Sequence, residues 1–251
     1  ELEKLKVSYF GNKAILKWEA DRMKQREWLK RAGLILPKIY KKPEDIDGPV
    51  IVKFYGARGG KGFFLAKTPE EFHKKIKKRE ARAYIIQEYI IGAPIYIHYF
   101  YSPLTGELEV MSFDKRYESN VDSIGRIAAK DQLDLGLETS YNITGNVPLV
   151  VRESLLPEIF RMGEAVVKAS KTLNGDSKGI YGPFSLETVI TPELKFFVFE
   201  VSARIVAGTN LYTEGSPYTI LRYGEPMSTG RRIAMEIKTA IKQNKLGKIL
   251  N

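Results

Sequence analysis

Apolar and polar positions late in the chain form two strand-length runs separated by a short turn. Residues 184–190 and 195–201 are rich in apolar, aromatic and β-branched side chains, as strands are. The Thr-Pro-Glu-Leu segment 191–194 between them has the composition of a turn. The pattern therefore predicts a β-hairpin with one carboxylate on each arm, at Glu187 and at Glu200.

These two glutamates stand in otherwise apolar strands, where an unpaired charge is costly. We therefore expect a cation between them, and two carboxylates completed by phosphate oxygens and water suit Mg²⁺. Ser202 and Arg204 follow Glu200 at alternate positions and share its strand face. An arginine there is suited to hold a phosphoryl group. The alternative is that both glutamates are outward side chains of a half-exposed hairpin.

The rest of the pattern predicts an N-terminal helix followed by two units that mix helices and strands. The predicted helices span residues 13–33, 68–79, 155–173, 217–223 and 230–245. The further predicted strands span residues 7–12, 50–54, 63–66, 83–91, 94–102, 108–117 and 147–151. Polar segments at 115–120 and 141–146 are expected to be loops, which either line a cleft or carry no function.

A glycine-rich loop joins two of the predicted strands. The segment from Lys53 to Gly62 contains two lysines and four glycines. Glycines let backbone N–H groups turn toward phosphate oxygens, and Lys53 and Lys61 supply positive charge. Because no helix follows, the segment is neither a Walker motif nor a Rossmann turn. It predicts a phosphate-binding loop, with a flexible hairpin of solvated charges as the alternative.

The strand that ends at residues 87–90 (Gln-Glu-Tyr-Ile) lies between the two predicted units, where ligands often bind. We expect its exposed backbone groups to contact the edge of adenine, although most strands of this composition are only core. His98 lies among aromatic residues and is expected to be a core or sheet-face histidine rather than a catalytic base.

Composition narrows the choice of function. The 251 residues carry 40 basic and 30 acidic side chains, a net charge of +10, with two histidines and no cysteine. Disulfides, thiolate zinc sites and multi-histidine metal sites are therefore excluded, and any metal must be held by oxygen. No apolar run reaches the roughly 20 residues of a membrane span, and no nucleic-acid-binding motif accompanies the positive charge. We expect a cytoplasmic protein with no membrane or nucleic-acid partner.

The order of these motifs resembles that of ATP-grasp ligases. More specifically, the chain resembles the archaeal formate-dependent ligases of purine biosynthesis that make 5-formaminoimidazole-4-carboxamide ribonucleotide (FAICAR). The segments that carry this resemblance are Tyr9–Lys13, Gly56–Gly62, Arg116–Asp122, Gly125–Gln132, Gly145–Asn146, Arg152–Leu156, Gly182–Phe184, Ser202–Asn210 and Ser228–Ala234. The resemblance implies an α+β ATP-grasp fold, in which two α+β subdomains hold the nucleotide between their antiparallel sheets.

The resemblance also implies a reaction. ATP phosphorylates formate to formyl phosphate, and the amine of aminoimidazole carboxamide ribonucleotide (AICAR) then attacks it, with Mg²⁺ or Mn²⁺ as the metal. Glu187 and Glu200 match the metal ligands, Asn146 and Arg204 are assigned to the substrate, and Arg204 and Lys61 are assigned to catalysis. The cofactor contacts assigned on the same basis are Lys53, Gly59, Gly60, Lys61, Gly62, Glu88, Tyr89, Ile90, Ile91, Tyr96 and Glu118.

We divide the chain into a connecting strand, helix and linker (1–48), an ATP-grasp lid (49–92) and a C-terminal subdomain with the metal and substrate site (93–251). Members of the family begin with a further α/β domain, which supplies a histidine and a serine to the ribonucleotide, and we expect that domain to precede residue 1. We also expect a homo-oligomer, a trimer or a hexamer. The competing hypotheses are a carboxylate–amine ligase with another acceptor, a nucleotide-binding module without catalysis, and last a nucleic-acid binder.

Overall fold

The computed structural model describes residues 6–55, 62–77, 83–135, 140, 142–173 and 178–251. The helices are α1 (Leu16–Ala20), α2 (Arg22–Arg31), α3 (Pro69–Ile76), α4 (Ser119–Ile124), α5 (Ala129–Leu135), α6 (Leu156–Ser170), α7 (Pro217–Tyr223) and α8 (Thr229–Lys242). The strands are β1 (Ile39–Tyr40), β2 (Val50–Phe54), β3 (Phe63–Ala66), β4 (Tyr84–Glu88), β5 (Ala93–Tyr101), β6 (Leu108–Glu118), β7 (Ile143–Pro148), β8 (Gly182–Ile190) and β9 (Phe196–Ser202).

The described residues divide into two compact units. The larger unit takes its residues from 1–36, 94–115 and 147–251, and the smaller unit from 37–93 and 116–146. The domain boundaries predicted before residues 49 and 93 divide the chain differently. Residues 6–36 belong to the larger unit, and the described residues between 116 and 146 belong to the smaller one.

The strands form two sheets. A four-stranded sheet has the order β1-β4-β2-β3, and a five-stranded sheet has the order β7-β6-β5-β8-β9. The pairs of β4 with β1 and β2, of β2 with β3, of β5 with β6 and of β8 with β9 are all antiparallel. Together with the helices, these sheets make an α+β protein.

The smaller unit has a core on one face of its sheet. Val50, Val52 and Phe54 alternate along β2 and are buried together with Phe72 of α3. Helix α3 begins where the sequence predicts it, because the Thr68 side chain accepts a hydrogen bond from the N–H of Glu71. The period-2 alternation of β2 leaves its other residues on the face of the sheet away from this core.

The core of the larger unit lies between its sheet and helices α2 and α6. The fully buried Trp28 of α2 donates its indole N–H to the carbonyl of Val166 in α6, at 3.1 Å. Tyr99 of β5 stacks on Phe184 of β8, with ring centroids 4.9 Å apart. Within the part of the chain that the structure describes, no helix combines the length and apolar character that a membrane span requires.

The prediction of one continuous helix over residues 13–33 is wrong, because the structure has two helices there. The break is at Asp21, whose side chain accepts hydrogen bonds from the N–H groups of Met23 and Lys24 and caps α2. An aspartate that bonds to the backbone in this way favours a helix start over a helix interior.

The polar segments expected to be loops are also more ordered than predicted. Strand β6 extends to Glu118 and leads directly into α4, and β7 begins at Ile143, four residues before the predicted strand 147–151. The sequence of β7, Ile-Thr-Gly-Asn-Val-Pro, has little of the apolar alternation by which strands are recognised.

Candidate active site

The β8–β9 hairpin places the two predicted carboxylates opposite each other. Glu187 of β8 and Glu200 of β9 are register partners, and the next pair on the same face, away from the turn, is Ser185 with Ser202. Side chains of directly opposed residues point to the same face of a sheet and are neighbours there, with Cβ atoms about 5 Å apart. The predicted hairpin with one carboxylate on each arm is therefore present, and the register places the two carboxylates opposite each other.

A β-bulge at Phe199 keeps Glu200 off the core. The register shifts between Glu187 and Thr188, which pairs with Val198, so Phe199 is an extra residue in β9. Because of this extra residue, Val198 and Val201 can both pack in the core while Glu200 points to the opposite face. Bulges commonly redirect side chains next to active sites.

Away from the turn, the hairpin face that carries the glutamates is polar and largely buried. Glu187 is only 4% exposed, while Glu200 is half-buried. Ser185 is buried on the same face, and its hydroxyl has no hydrogen-bond partner among the described residues. Two facing carboxylates suit an oxygen-coordinated Mg²⁺, and the unsatisfied hydroxyl beside them is a further polar group that a ligand on this face could satisfy. No group of three or more acidic or histidine side chains that could hold a metal occurs in the described part of the chain.

Arg204 lies just beyond the end of β9, next to a carboxylate that the sequence did not indicate. Its Nε is 2.9 Å from Oε1 of Glu19, the fourth residue of α1. The other carboxylate oxygen of Glu19 accepts a hydrogen bond from the N–H of Ala203, at 2.8 Å. The Arg204 side chain is 58% exposed, so it has a free solvent face despite this ion pair.

Glu19 also lies within electrostatic range of the hairpin. Burial raises the pKa of the Glu19 carboxyl above its usual value, and the nearby Glu200 carboxylate raises this pKa further. The Ala203 N–H and the Arg204 guanidinium act in the opposite direction. The candidate metal ligand Glu200 and the candidate phosphoryl contact Arg204 therefore share Glu19 as a neighbour.

The segment that follows Arg204 is held by a buried histidine–aspartate pair. His98 of β5 lies 2.5 Å from Asp114 of β6, and both are 1% exposed. The Thr209 hydroxyl is 3.4 Å from the other ring nitrogen of His98. Thr209 belongs to the 3-10 turn Ala207–Asn210. His98 is thus the buried sheet-face histidine that the sequence predicts, and it supports the loop after Arg204.

In the smaller unit, Lys53 lies on the sheet face away from the core. It pairs with Phe63 of β3 and with Ile85 of β4, between the buried positions Val52 and Phe54. Gly62 enters β3 with a positive φ of 74°, a conformation that glycine adopts readily. The other predicted loop contacts, Gly59, Gly60 and Lys61, lie outside the described residues.

In the strand predicted to contact adenine, some backbone groups already form hydrogen bonds within the protein. The N–H of Glu88 donates to the carbonyl of Lys38, and the N–H of Tyr89 donates to the carbonyl of Pro49. The Glu88 carboxylate accepts from the N–H of Lys38, at 2.9 Å. Other groups, among them those of Ile90 and the 70% exposed Ile91, would have to make an adenine contact.

The remaining predicted contacts fall in two places. Tyr96 is 6% exposed in β5 of the larger unit and pairs with Asp114 of β6. Glu118 and Asn146 lie on the neighbouring strands β6 and β7, within the smaller unit. The N–H of Glu118 donates to the carboxylate of Asp122 in α4.

Two residues of this site escaped the sequence analysis, namely Glu19 and Asn12. The Asn12 side chain is buried and donates to the carbonyls of Ala203 and Tyr181, at 2.8 and 2.9 Å. Asn12 lies in the Tyr9–Lys13 segment, which was singled out only for its resemblance. Glu19 has no local signal, since a glutamate in a short helix is ordinarily a solvated side chain.

Comparison with known proteins supplies a family context for this arrangement. A family model described as a domain of unknown function, DUF1297, matches residues 66–251, and one described as a protein of unknown function, DUF1246, matches residues 1–40. The chain is 57% identical over 255 residues to 5-formaminoimidazole-4-carboxamide-1-β-D-ribofuranosyl 5'-monophosphate synthetase of Thermococcus kodakarensis. That alignment covers 99% of this chain and 76% of the relative.

Solved structures show the same relationship. The crystal structure of an IMP biosynthesis protein, PurP from Thermococcus kodakaraensis, has a TM-score of 0.77 and 28% identity, and the match covers 100% of this chain and 74% of that one. The ADP complex of PurK, an N5-carboxyaminoimidazole ribonucleotide synthetase, has a TM-score of 0.62 at 13% identity, over 88% of this chain and 52% of that one. The second likeness concerns the fold alone. The predicted α+β fold of the ATP-grasp type is confirmed.

Proposed function

The chain belongs to the family of 5-formaminoimidazole-4-carboxamide ribonucleotide synthetases, and from this premise we propose how its residues carry out the reaction. The protein is a ligase of IMP biosynthesis that converts AICAR to FAICAR. The observation that carries the assignment of its active site is the cross-strand pair of Glu187 and Glu200 on one face of the hairpin.

The chemistry proceeds in two transfers. A formate oxygen attacks the γ-phosphorus of ATP, ADP leaves, and formyl phosphate forms. The exocyclic amine of AICAR then attacks the formyl carbon, loses a proton, and expels inorganic phosphate to give FAICAR. Neither transfer needs a nucleophilic side chain, because positioning and charge neutralisation account for most of the catalysis of phosphoryl transfer.

Glu187 and Glu200 are the proposed metal ligands. Their opposed positions and the buried, unsatisfied Ser185 hydroxyl beside them support a polar ligand on this face. Magnesium or manganese bound there would neutralise charge on the transferred phosphoryl group. The two carboxylates would hold the ion on this face of the hairpin.

Arg204 is the proposed contact for the transferring phosphoryl group. It follows Glu200 by four residues and retains an exposed guanidinium face. A guanidinium presents a planar set of donors that matches the geometry of phosphate oxygens and of carboxylates. It can therefore bind formate, formyl phosphate or released phosphate without changing its own protonation state.

In the smaller unit, Lys53 and Lys61 are proposed to bind ATP phosphates, together with the backbone of the glycine-rich loop at Gly59, Gly60 and Gly62. The place of Lys53 on the sheet face away from the core supports this role. Further nucleotide contacts are proposed for Glu88, Tyr89, Ile90, Ile91, Tyr96 and Glu118, and a ribonucleotide contact for Asn146.

Isotope transfer from formate tests the proposed intermediate. The full-length protein is incubated with ATP, Mg²⁺, AICAR and formate labelled with ¹⁸O at both oxygens. Attack by formate on ATP predicts that one labelled oxygen appears in the inorganic phosphate and the other in the formamide group. Unlabelled phosphate during FAICAR formation would contradict the formyl phosphate route.

A further inference from the structure

We infer that Glu19 is a positioning residue for catalysis, which holds Arg204 in the orientation that meets the phosphoryl group. This inference rests on the proposed function of Arg204. Glu19 comes from α1, 185 positions earlier in the chain, and it contacts both the side chain of Arg204 and the peptide that precedes it.

The contacts of Glu19 restrict two consecutive residues at once. One carboxylate oxygen is 2.9 Å from the Arg204 Nε, and the other accepts the Ala203 N–H at 2.8 Å. The Ala203 carbonyl is bound in turn by the buried Asn12 amide, at 2.8 Å. Both polar groups of Ala203 are thus bound by side chains of the N-terminal segment, and the backbone that enters Arg204 has little freedom to rotate.

The two partners of the ion pair differ in exposure, and this difference assigns their roles. The Glu19 side chain is 11% exposed, whereas that of Arg204 is 58% exposed. The carboxylate is therefore the fixed partner and the guanidinium is the group that is held. A guanidinium has five N–H donors, more than its contacts with Glu19 and with the carbonyl of Ile205 use. The remaining donors can bind an anion while the ion pair stays intact.

An ordinary surface ion pair in the same unit shows what is special here. The Nε of Arg31 lies 3.0 Å from Oε1 of Glu27, the same pair of atoms as in the Arg204–Glu19 contact. These side chains, however, are 46% and 49% exposed and lie four residues apart on α2. That pair orders neither a second element nor a loop. It therefore provides a matched control, in which the same Glu→Gln change removes the same kind of contact away from the site.

Steady-state kinetics of the full-length protein test the inference. Glu19→Gln should lower kcat for formate-dependent ADP release by up to about a hundredfold, because a small misplacement of a catalytic group costs that much. The KM for ATP should not change, and Glu27→Gln should behave as wild type in both constants. In an Arg204→Lys background, Glu19→Gln should cause little further loss, since the group it positions is already altered.

The outcomes separate the inference from the proposed function. Wild-type kcat in folded Glu19→Gln, or an equal loss of kcat in the wild-type and Arg204→Lys backgrounds, overturns the role of Glu19. Wild-type kcat in Arg204→Met instead overturns the proposed role of Arg204. Should Glu19→Gln not fold, Glu19→Asp keeps the charge but withdraws it by one methylene. Full kcat in that variant would equally overturn the inference.

Discussion

Glu187 and Glu200 are direct cross-strand partners, and the bulge at Phe199 turns Glu200 to the face opposite the core. Two like charges directly opposite each other destabilise a sheet. We propose that a bound cation offsets this repulsion on the face that the two glutamates share.

Metal binding can be measured directly, without turnover. Glu187→Gln and Glu200→Gln should each weaken Mn²⁺ binding by more than about tenfold, a loss of roughly 1.4 kcal/mol, because each removes one of two carboxylate ligands. Electron paramagnetic resonance of free Mn²⁺, in the presence of a non-hydrolysable ATP analogue, provides the measurement. Glu193→Gln, in the exposed turn of the same hairpin, is the matched control and should bind as wild type. Unchanged Mn²⁺ affinity in both site variants would refute the metal assignment.

Lys53 should contribute mainly to ATP affinity. Lys53→Met is expected to raise the KM for ATP roughly tenfold, the value of one charge-assisted hydrogen bond. The exposed Lys67 just after β3 provides the control, and Lys67→Met should leave KM unchanged. Equal KM values for the two variants would show that Lys53 does not contact the nucleotide.

The buried ion network of Arg232, Glu109 and Glu236 should contribute strongly to the free energy of unfolding. Arg232 of α8 is 3% exposed, binds Glu109 at 2.9 Å and Glu236 at 2.8 Å, and lies over the ring of Phe100. Arg232→Met leaves Glu109 without its main counter-charge and should cost about 3–5 kcal/mol of unfolding free energy. Arg161→Met, which breaks the exposed pair with Glu158, should cost less than about 1 kcal/mol. Urea unfolding measures both, and similar losses in the two variants would contradict the account.

The same network should make stability fall at alkaline pH. Burial, together with a hydrogen bond to Glu109, raises the pKa of Tyr223 from 10.0 to about 12. A group whose pKa is higher in the folded state stabilises the fold below its unfolded pKa, and this contribution is lost as pH rises through the folded value. Unfolding free energy should therefore decline from pH 10 towards pH 12. Tyr223→Phe should decline less steeply, and an identical slope in the variant and the wild type would exclude this cause.

The hairpin was predictable because its signals are local. Apolar arms of strand length around a Thr-Pro-Glu-Leu turn are enough to predict β8 and β9, with one glutamate on each arm. The bulge at Phe199 was not predictable, since one inserted residue leaves the apolar character of the arm unchanged. Yet the bulge determines that Val198 and Glu200 point to opposite faces.

The roles of Glu19 and Asn12 could not be predicted from local sequence for a different reason. Their partners at Ala203 and Arg204 are more than 180 positions away, and only tertiary packing brings them together. The helix break at Asp21 was also misread, because the apolar spacing of residues 13–33 favours one continuous helix. The side-chain cap of Asp21 outweighs that spacing.

The paired carboxylates of the hairpin are proposed to support formate-dependent use of ATP. The most direct measurement is ADP release by the full-length protein with ATP, Mg²⁺, formate and AICAR, compared among wild type, Glu187→Gln, Glu200→Gln and Glu193→Gln. We expect formate-dependent ADP release in wild type and Glu193→Gln, and none above background in the other two variants while they remain folded. Formate-dependent ADP release at the wild-type rate in Glu187→Gln or Glu200→Gln would contradict the account.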